Sequence, residues 1–258
     1  MANPVEQFVI KSVSDKTELN FMGVDLDYTN SALWMTIAVV LSITFLSIAM
    51  GKKSLVPGRL QMSAEILYEF IASMVKDNIG PKGRKFFPFV FTLFIFVLMG
   101  NLLGLLPGGI FGLPGVFTYT SHLAVTAALA LTVFFAVIIF GLINHGLKFF
   151  SIFVPAGVPW WVLPIIIPIE LVSFFVRPIT LSVRLFANMM AGHLMLKIIM
   201  GFAVAAAGLG SAGWLVGILP AFTGTMLLMF ELLVAFIQAY VFAILSCVYL
   251  KDAVDLHH

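Results

Sequence analysis

The sequence predicts an all-α integral membrane protein with about five membrane segments and one amphipathic helix. Of its 258 residues, 61% are hydrophobic and only 10% are charged, where a soluble domain carries roughly 45 to 50% apolar residues. Mean hydropathy is +1.11. Apolar runs of roughly 20 residues, the length that crosses a hydrocarbon core, recur along the chain. One water-soluble core cannot hide this much apolar surface, so lipid is the main solvent.

The first apolar run is 31–50, ended by Gly51, Lys52 and Lys53. Within the more charged stretch that follows, 61–78 reads as an amphipathic helix with Glu65 and Glu69 four residues apart, on the membrane surface or packed under the spans. A second span runs over 86–106 into the breakers Pro107, Gly108, Gly109, Gly112, Pro114 and Gly115. Its Gly100 and Gly104 form a GxxxG pattern that permits close helix contact, and its Asn101 either lines a polar path or hydrogen-bonds another helix. The third span is 120–143. The prolines at 155, 159, 164 and 168 then argue against a continuous helix, so a new element is expected to begin between Pro164 and Glu170.

Two longer apolar stretches close the chain, 165–200 and 215–250, joined by the uncharged Gly/Ala-rich link 201–213. Each, if wholly helical, would be about 54 Å long, nearly twice the core thickness of about 30 Å. They either break or lie strongly tilted as a hairpin whose extended side face suits a lateral partner. The domain plan is therefore a segment 1–30 outside the membrane and a single membrane domain 31–258.

Charge orients these spans. Residues 1–30 carry Lys11 and Lys16 against Glu6, Asp15, Glu18, Asp25 and Asp27. The 51–85 stretch carries Lys52, Lys53, Arg59, Lys76, Lys82, Arg84 and Lys85 against Glu65, Glu69 and Asp77. The positive-inside rule puts the first outside and the second in the cytoplasm, and leaves the C-terminus cytoplasmic. Residues 1–30 lack the basic start and short apolar run of a signal peptide.

Several function classes are excluded. No basic stripe for nucleic acid, phosphate loop or dinucleotide fingerprint occurs, so neither a nucleotide site nor a cofactor is expected. The stretch 208–213, GLGSAG, lacks the Lys and strand context of such motifs and reads as a turn at the membrane edge. The single cysteine, Cys247, sits in an apolar run, permits no disulfide within the chain, and reads as a small buried hydrophobe.

The chemistry lies in the ionisable side chains inside the two long stretches, because charge at membrane depth is expensive and marks a path, a relay or a pair. Glu170, Arg177 and Arg184 are spaced seven apart and share roughly one helical face, with Asn188 one turn beyond Arg184. On the last stretch Glu231 and Gln238 are also seven apart. Antiparallel folding brings His193 to the depth of Glu231, and Arg184 to that of Gln238. His193 and Glu231 suit proton transfer, with a static hydrogen bond between helices as the alternative. Arg184 keeps its proton and reads as a fixed positive charge, or else as half of an internal ion pair with Glu231 or Glu170. Arg177 and Lys197, nearer the ends, either take part or snorkel to the interfaces. On an ideal helix His193 is turned about 180° from Arg184, so a water-filled cavity shared by the two would need helix distortion or access around more than one face.

The passage PITLSVRLFANMMAGHLMLKI at 178–198 resembles the subunit a family of the membrane sector of F-type ATP synthases. So do NLLGLLP at 101–107, HGLKFFSIFVPAG at 145–157, Ile169 with Glu170, and ELLVAFIQAYVFAILSCVYL at 231–250. The resemblance implies a stator beside a rotating ring of small hairpin subunits, the c-ring, each with an essential carboxylate. It places the family's arginine on Arg184, its amides on Asn188 and Gln238, its inner acid on Glu170, and its outer pair on His193 and Glu231. It also implies a non-catalytic chain that binds the c-ring, subunit b of the peripheral stalk and the rest of the F1Fo complex. The inner membrane of a bacterium is the expected location, with the mitochondrial inner membrane as the alternative. An independent transporter would be expected to show inverted repeats of broken helices, and none is found. A mere membrane anchor would not explain Arg184, His193 and Glu231.

Overall fold

The computed structural model describes residues 9–10, 20–21, 24–25, 28–51, 57–106, 117–154, 159–208 and 211–254. Most of the 1–30 segment, Lys52 and Lys53, the breakers from Pro107 to Gly115, Pro155 and the terminal His257 and His258 lie outside them. The described helices are α1 Asn30–Gly51, α2 Arg59–Ile79, α3 Phe87–Gly104, α4 Leu123–His145, α5 Leu163–Ala207 and α6 Ser211–Val254. All but α2 contain a stretch long and apolar enough to cross a membrane, so the fold is the all-α, five-span arrangement expected. Ahead of α1, Asn20–Phe21 and Val24–Asp25 pair antiparallel, a two-residue ladder the sequence had not indicated.

Several boundaries differ from expectation. Thr120 belongs to a 3-10 turn, Tyr119–Ser121, and α4 starts only at Leu123. The expected 201–213 link shrinks, because α5 continues through Ala205, Ala206 and Ala207 and α6 already includes Ser211 to Gly213. Alanine is the strongest helix former, so an uncharged Ala-rich passage is helix rather than link. At 45 and 44 residues, α5 and α6 would be about 68 and 66 Å long. Neither breaks at its internal prolines, Pro168 and Pro178 in α5 and Pro220 in α6. Each proline removes one N–H and releases one carbonyl, but the remaining ladder keeps the helix intact where lipid offers no other donor. Each is more than twice as long as the hydrocarbon core is thick.

The chain forms two compact units. Unit 1 takes the described parts of 1–43, 96–122 and 186–238, and unit 2 those of 44–95, 123–185 and 239–258. The polypeptide of α5 and of α6 contributes one part to each unit.

Unit 2 is built on aromatic packing. Tyr68 of α2 meets Phe87 of α3 at 4.7 Å between ring centroids, and Phe70 meets Phe94 at 6.0 Å and Tyr240 of α6 at 5.6 Å. The amphipathic helix is thus packed against spans, while Glu65 and Glu69 point outward from it. It stops at Gly80, whose φ of 81° suits glycine and whose N–H bonds to the Lys76 carbonyl. Along α6, Ala239, Ala243 and Cys247 are fully buried at four-residue spacing, a run of small side chains that lets helices approach closely.

Candidate functional site

Unit 1 brings the expected His193 and Glu231 together. His193 is 7% exposed and Glu231 3%, with 3.4 Å between imidazole Nδ1 and carboxylate Oε1. That exceeds the usual N–H···O range, and neither Glu231 oxygen receives a hydrogen bond from the described protein. The carboxylate lies against the α5 backbone at Gly192, where a methyl group would stand 2.7 Å from Oε1. Glycine there makes room for the acid.

The other imidazole nitrogen, Nε2, is 3.0 Å from the Thr118 hydroxyl. Thr118 precedes the 3-10 turn before α4, and this segment is seated by Gly100 and Gly104. A methyl on Gly100 would stand 2.6 Å from the Tyr119 phenol oxygen, and one on Gly104 would overlap the Thr118 side chain. The GxxxG pattern therefore accepts side chains of the turn rather than another helix backbone. Tyr119 donates to the Phe96 carbonyl at 2.7 Å, and burial raises its pKa above the ordinary range, so it stays a neutral donor. His122 stacks on Phe117 at 4.7 Å, and burial lowers its pKa.

Asn101 is fully buried and donates from its amide to the Ala235 carbonyl of α6 at 3.1 Å. Its Oδ1 receives no bond from the described protein. Gln238 is buried, whereas Asn188 and Lys197 are exposed.

Unit 2 contains a different cluster. The Arg177 guanidinium is 2.8 Å from Asp252 of α6 and 3.9 Å from Glu170, and its carbon lies 5.4 Å from the Tyr249 ring centroid. Arg177 is therefore paired with carboxylates of both long helices. Arg177, Tyr249 and Asp252 line one side of a cleft whose other walls include Val133, Val137, Phe174 and Leu181. Thr126 and Ser182 approach at 3.4 Å, and His145 bonds the Val254 carbonyl at 3.0 Å.

Arg184 is exposed and makes no hydrogen bond or ion pair among the described residues. Glu170 lies 3.9 Å from Arg177, and Glu231 3.4 Å from His193.

Sequence reasoning missed Asp252, Tyr249, Thr118 and Gly192. The polar pair Lys251 and Asp252 directly after the last apolar run was the available signal for Asp252. Thr118 and Gly192 carried no comparable signal, since neither is charged.

The ATP synthase A chain family matches residues 32–251. An ATP synthase subunit a of Rhodospirillum rubrum is 47% identical over 257 residues, covering 100% of both chains. That of Mesorhizobium japonicum is 50% identical, covering 99% of this chain and 98% of its own. That of Bradyrhizobium diazoefficiens is also 50% identical, covering 99% of each. A match of this extent, on a chain of five apolar spans with buried and exposed ionisable groups along the last two, shows that the chain belongs to the ATP synthase A chain family.

Proposed function

We propose that this chain is the proton-conducting stator of an F-type ATP synthase, with Arg184 separating two offset paths beside a ring of partner subunits. The observation that carries this reading is the unpaired, exposed guanidinium of Arg184 on a membrane-crossing helix. Exposing an arginine to lipid at mid-helix costs about 2.5 to 3.5 kcal/mol on insertion scales and more by simulation, so a polar partner belongs against that face. A carboxylate on each c-ring subunit is the partner the family supplies. Arg184 cannot give up its proton. It favours the ionised carboxylate beside it and repels protons that would otherwise cross directly.

Protons enter from outside through His193 and Glu231 and neutralise a ring carboxylate. Gln238 and the exposed Asn188 supply uncharged hydrogen-bonding groups toward that transfer. Asn101 and Lys197 are secondary members of the path. The neutral carboxyl can then travel through lipid, which an ionised one cannot. After nearly a full turn it releases its proton toward the Glu170 end, beside Arg177. A proton crosses only with rotation, and each elementary charge contributes about 2.3 kcal/mol per 100 mV of membrane potential.

In this reading the chain sits in a bacterial inner membrane, N-terminus outside and C-terminus cytoplasmic. It docks to the c-ring, subunit b and the rest of the F1Fo complex, surrounded by lipid. ATP chemistry belongs to other subunits.

ATP-driven acidification of vesicles carrying the assembled complex tests this. With Arg184→Ala, coupled pumping is lost although the complex remains intact, and Arg184→Lys does not restore it, because a compact ammonium lacks the planar fork and can lose its proton. Unchanged pumping in Arg184→Ala would return Arg184 to a structural role.

A further inference from the structure

We infer that Thr118 is a positioning residue of the proton entry path, its hydroxyl serving His193 Nε2 as donor or acceptor according to whether that nitrogen carries a proton. The inference rests on the reading of His193 and Glu231 above, and deepens it.

Three observations within unit 1 meet at this point. The hydroxyl lies 3.0 Å from Nε2, and Nδ1 of the same ring lies 3.4 Å from Glu231 Oε1. Thr118, His193 and Glu231 are all buried. Gly104 leaves the space in which the Thr118 side chain sits, and Tyr119 is tied to Phe96 directly beside it. The hydroxyl is therefore presented by a packed turn, not by a free loop.

A neutral imidazole has one N–H and one bare nitrogen, and both are shielded from bulk water here. With Glu231 ionised, Nδ1–H faces the carboxylate and bare Nε2 needs a donor, which the Thr118 O–H supplies. As the Thr118 O–H turns away, a hydronium ion on the entry side gives up a proton to Nε2 and is left as water, and the imidazolium passes its Nδ1 proton to Glu231 Oε1. One hydronium O–H and one N–H break, while one N–H and one O–H form. Nε2–H now needs an acceptor, and the same hydroxyl, rotated about its C–O bond, provides one. A hydroxyl can play both parts. An amide would need its other end turned inward, and a methyl can play neither.

Among the described residues, Glu231 of α6 faces the imidazole, the charged Lys197 lies one turn further along α5, and the titratable Tyr119 and His122 follow Thr118 in sequence.

ATP synthesis by the assembled complex, driven by an imposed proton gradient and measured across a series of entry-side pH values, tests the assignment. Thr118→Val, which replaces the hydroxyl by a methyl of similar size, lowers the rate about ten-fold and changes its pH profile, while Thr118→Ser keeps rate and profile near those of the unmutated complex. If Thr118→Val does not assemble, Thr118→Ala, smaller than the native side chain, is read in its place. A normal rate and profile without the hydroxyl would overturn the inference, and so would an equal loss in Thr118→Ser, which would mark a packing role. His193→Ala in the same series separates the two levels: if it too is without effect, the entry path itself is misassigned, whereas loss in His193→Ala alone removes only Thr118.

Discussion

In unit 2 the Asp252 carboxylate of α6 lies 2.8 Å from the Arg177 guanidinium of α5, with side chains 26% and 30% exposed. In unit 1 the Glu231 carboxylate, also of α6, lies 3.4 Å from the His193 imidazole of α5, with side chains 3% and 8% exposed. The same two helices thus carry a close acid–base pair in each unit, with opposite chemistry. The Asp252 carboxylate is at charge-assisted hydrogen-bond distance from the Arg177 guanidinium, so that pair is a lasting link. The partner of Glu231 is an imidazole, a group that can take up and release a proton, and Glu231 itself is a buried acid that receives no hydrogen bond from the described protein. The comparison teaches that the two pairs differ in depth of burial and quality of pairing as well as in residue type, and the proposed function assigns proton exchange to the buried, loosely paired one.

The largest expected effect breaks the unit 1 pair. His193→Ala lowers proton flux by about 10²-fold, the usual scale for losing a positioned acid–base group. Combining His193→Glu with Glu231→His restores flux to within about ten-fold of the unmutated level, because one acid and one imidazole still face each other. Proton uptake by reconstituted vesicles reads both. A smaller effect follows from Gly192→Ala, whose added methyl would stand 2.7 Å from Glu231 Oε1 and must displace the carboxylate. Flux falls about ten-fold, the complex still assembles, and a shift of this kind costs rate through misplacement alone. The smallest effect on flux belongs to Asp252→Asn. The half-exposed pair contributes about 1 kcal/mol, so thermal unfolding in detergent moves down by a few degrees while flux stays within about two-fold.

Much of this was legible in the sequence. Apolar run length foretold five spans, and the alternating faces of 61–78 foretold α2, because both depend on local pattern alone. The expense of charge in lipid singled out Arg184, His193 and Glu231. Partner choice was not legible. Arg177 and Asp252 are 75 residues apart, and whether Arg177 meets that acid or reaches an interface depends on the register between α5 and α6, which no periodicity sets. Thr118 depends on how a turn settles over Gly100 and Gly104, a matter of three-dimensional fit. The persistence of α5 through Pro168 and Pro178 was hidden for another reason: rules for proline come from helices in water, where a broken turn can be solvated.

Passive proton flux through the assembled membrane sector, compared between Glu231→Gln and Asp252→Asn, tests most directly that exchange happens at the unsatisfied acid and not at the paired one. Both changes remove one carboxylate from α6 and keep its shape. The account predicts near-complete loss for Glu231→Gln and flux close to normal for Asp252→Asn. Equal losses, or the reverse order, would contradict it.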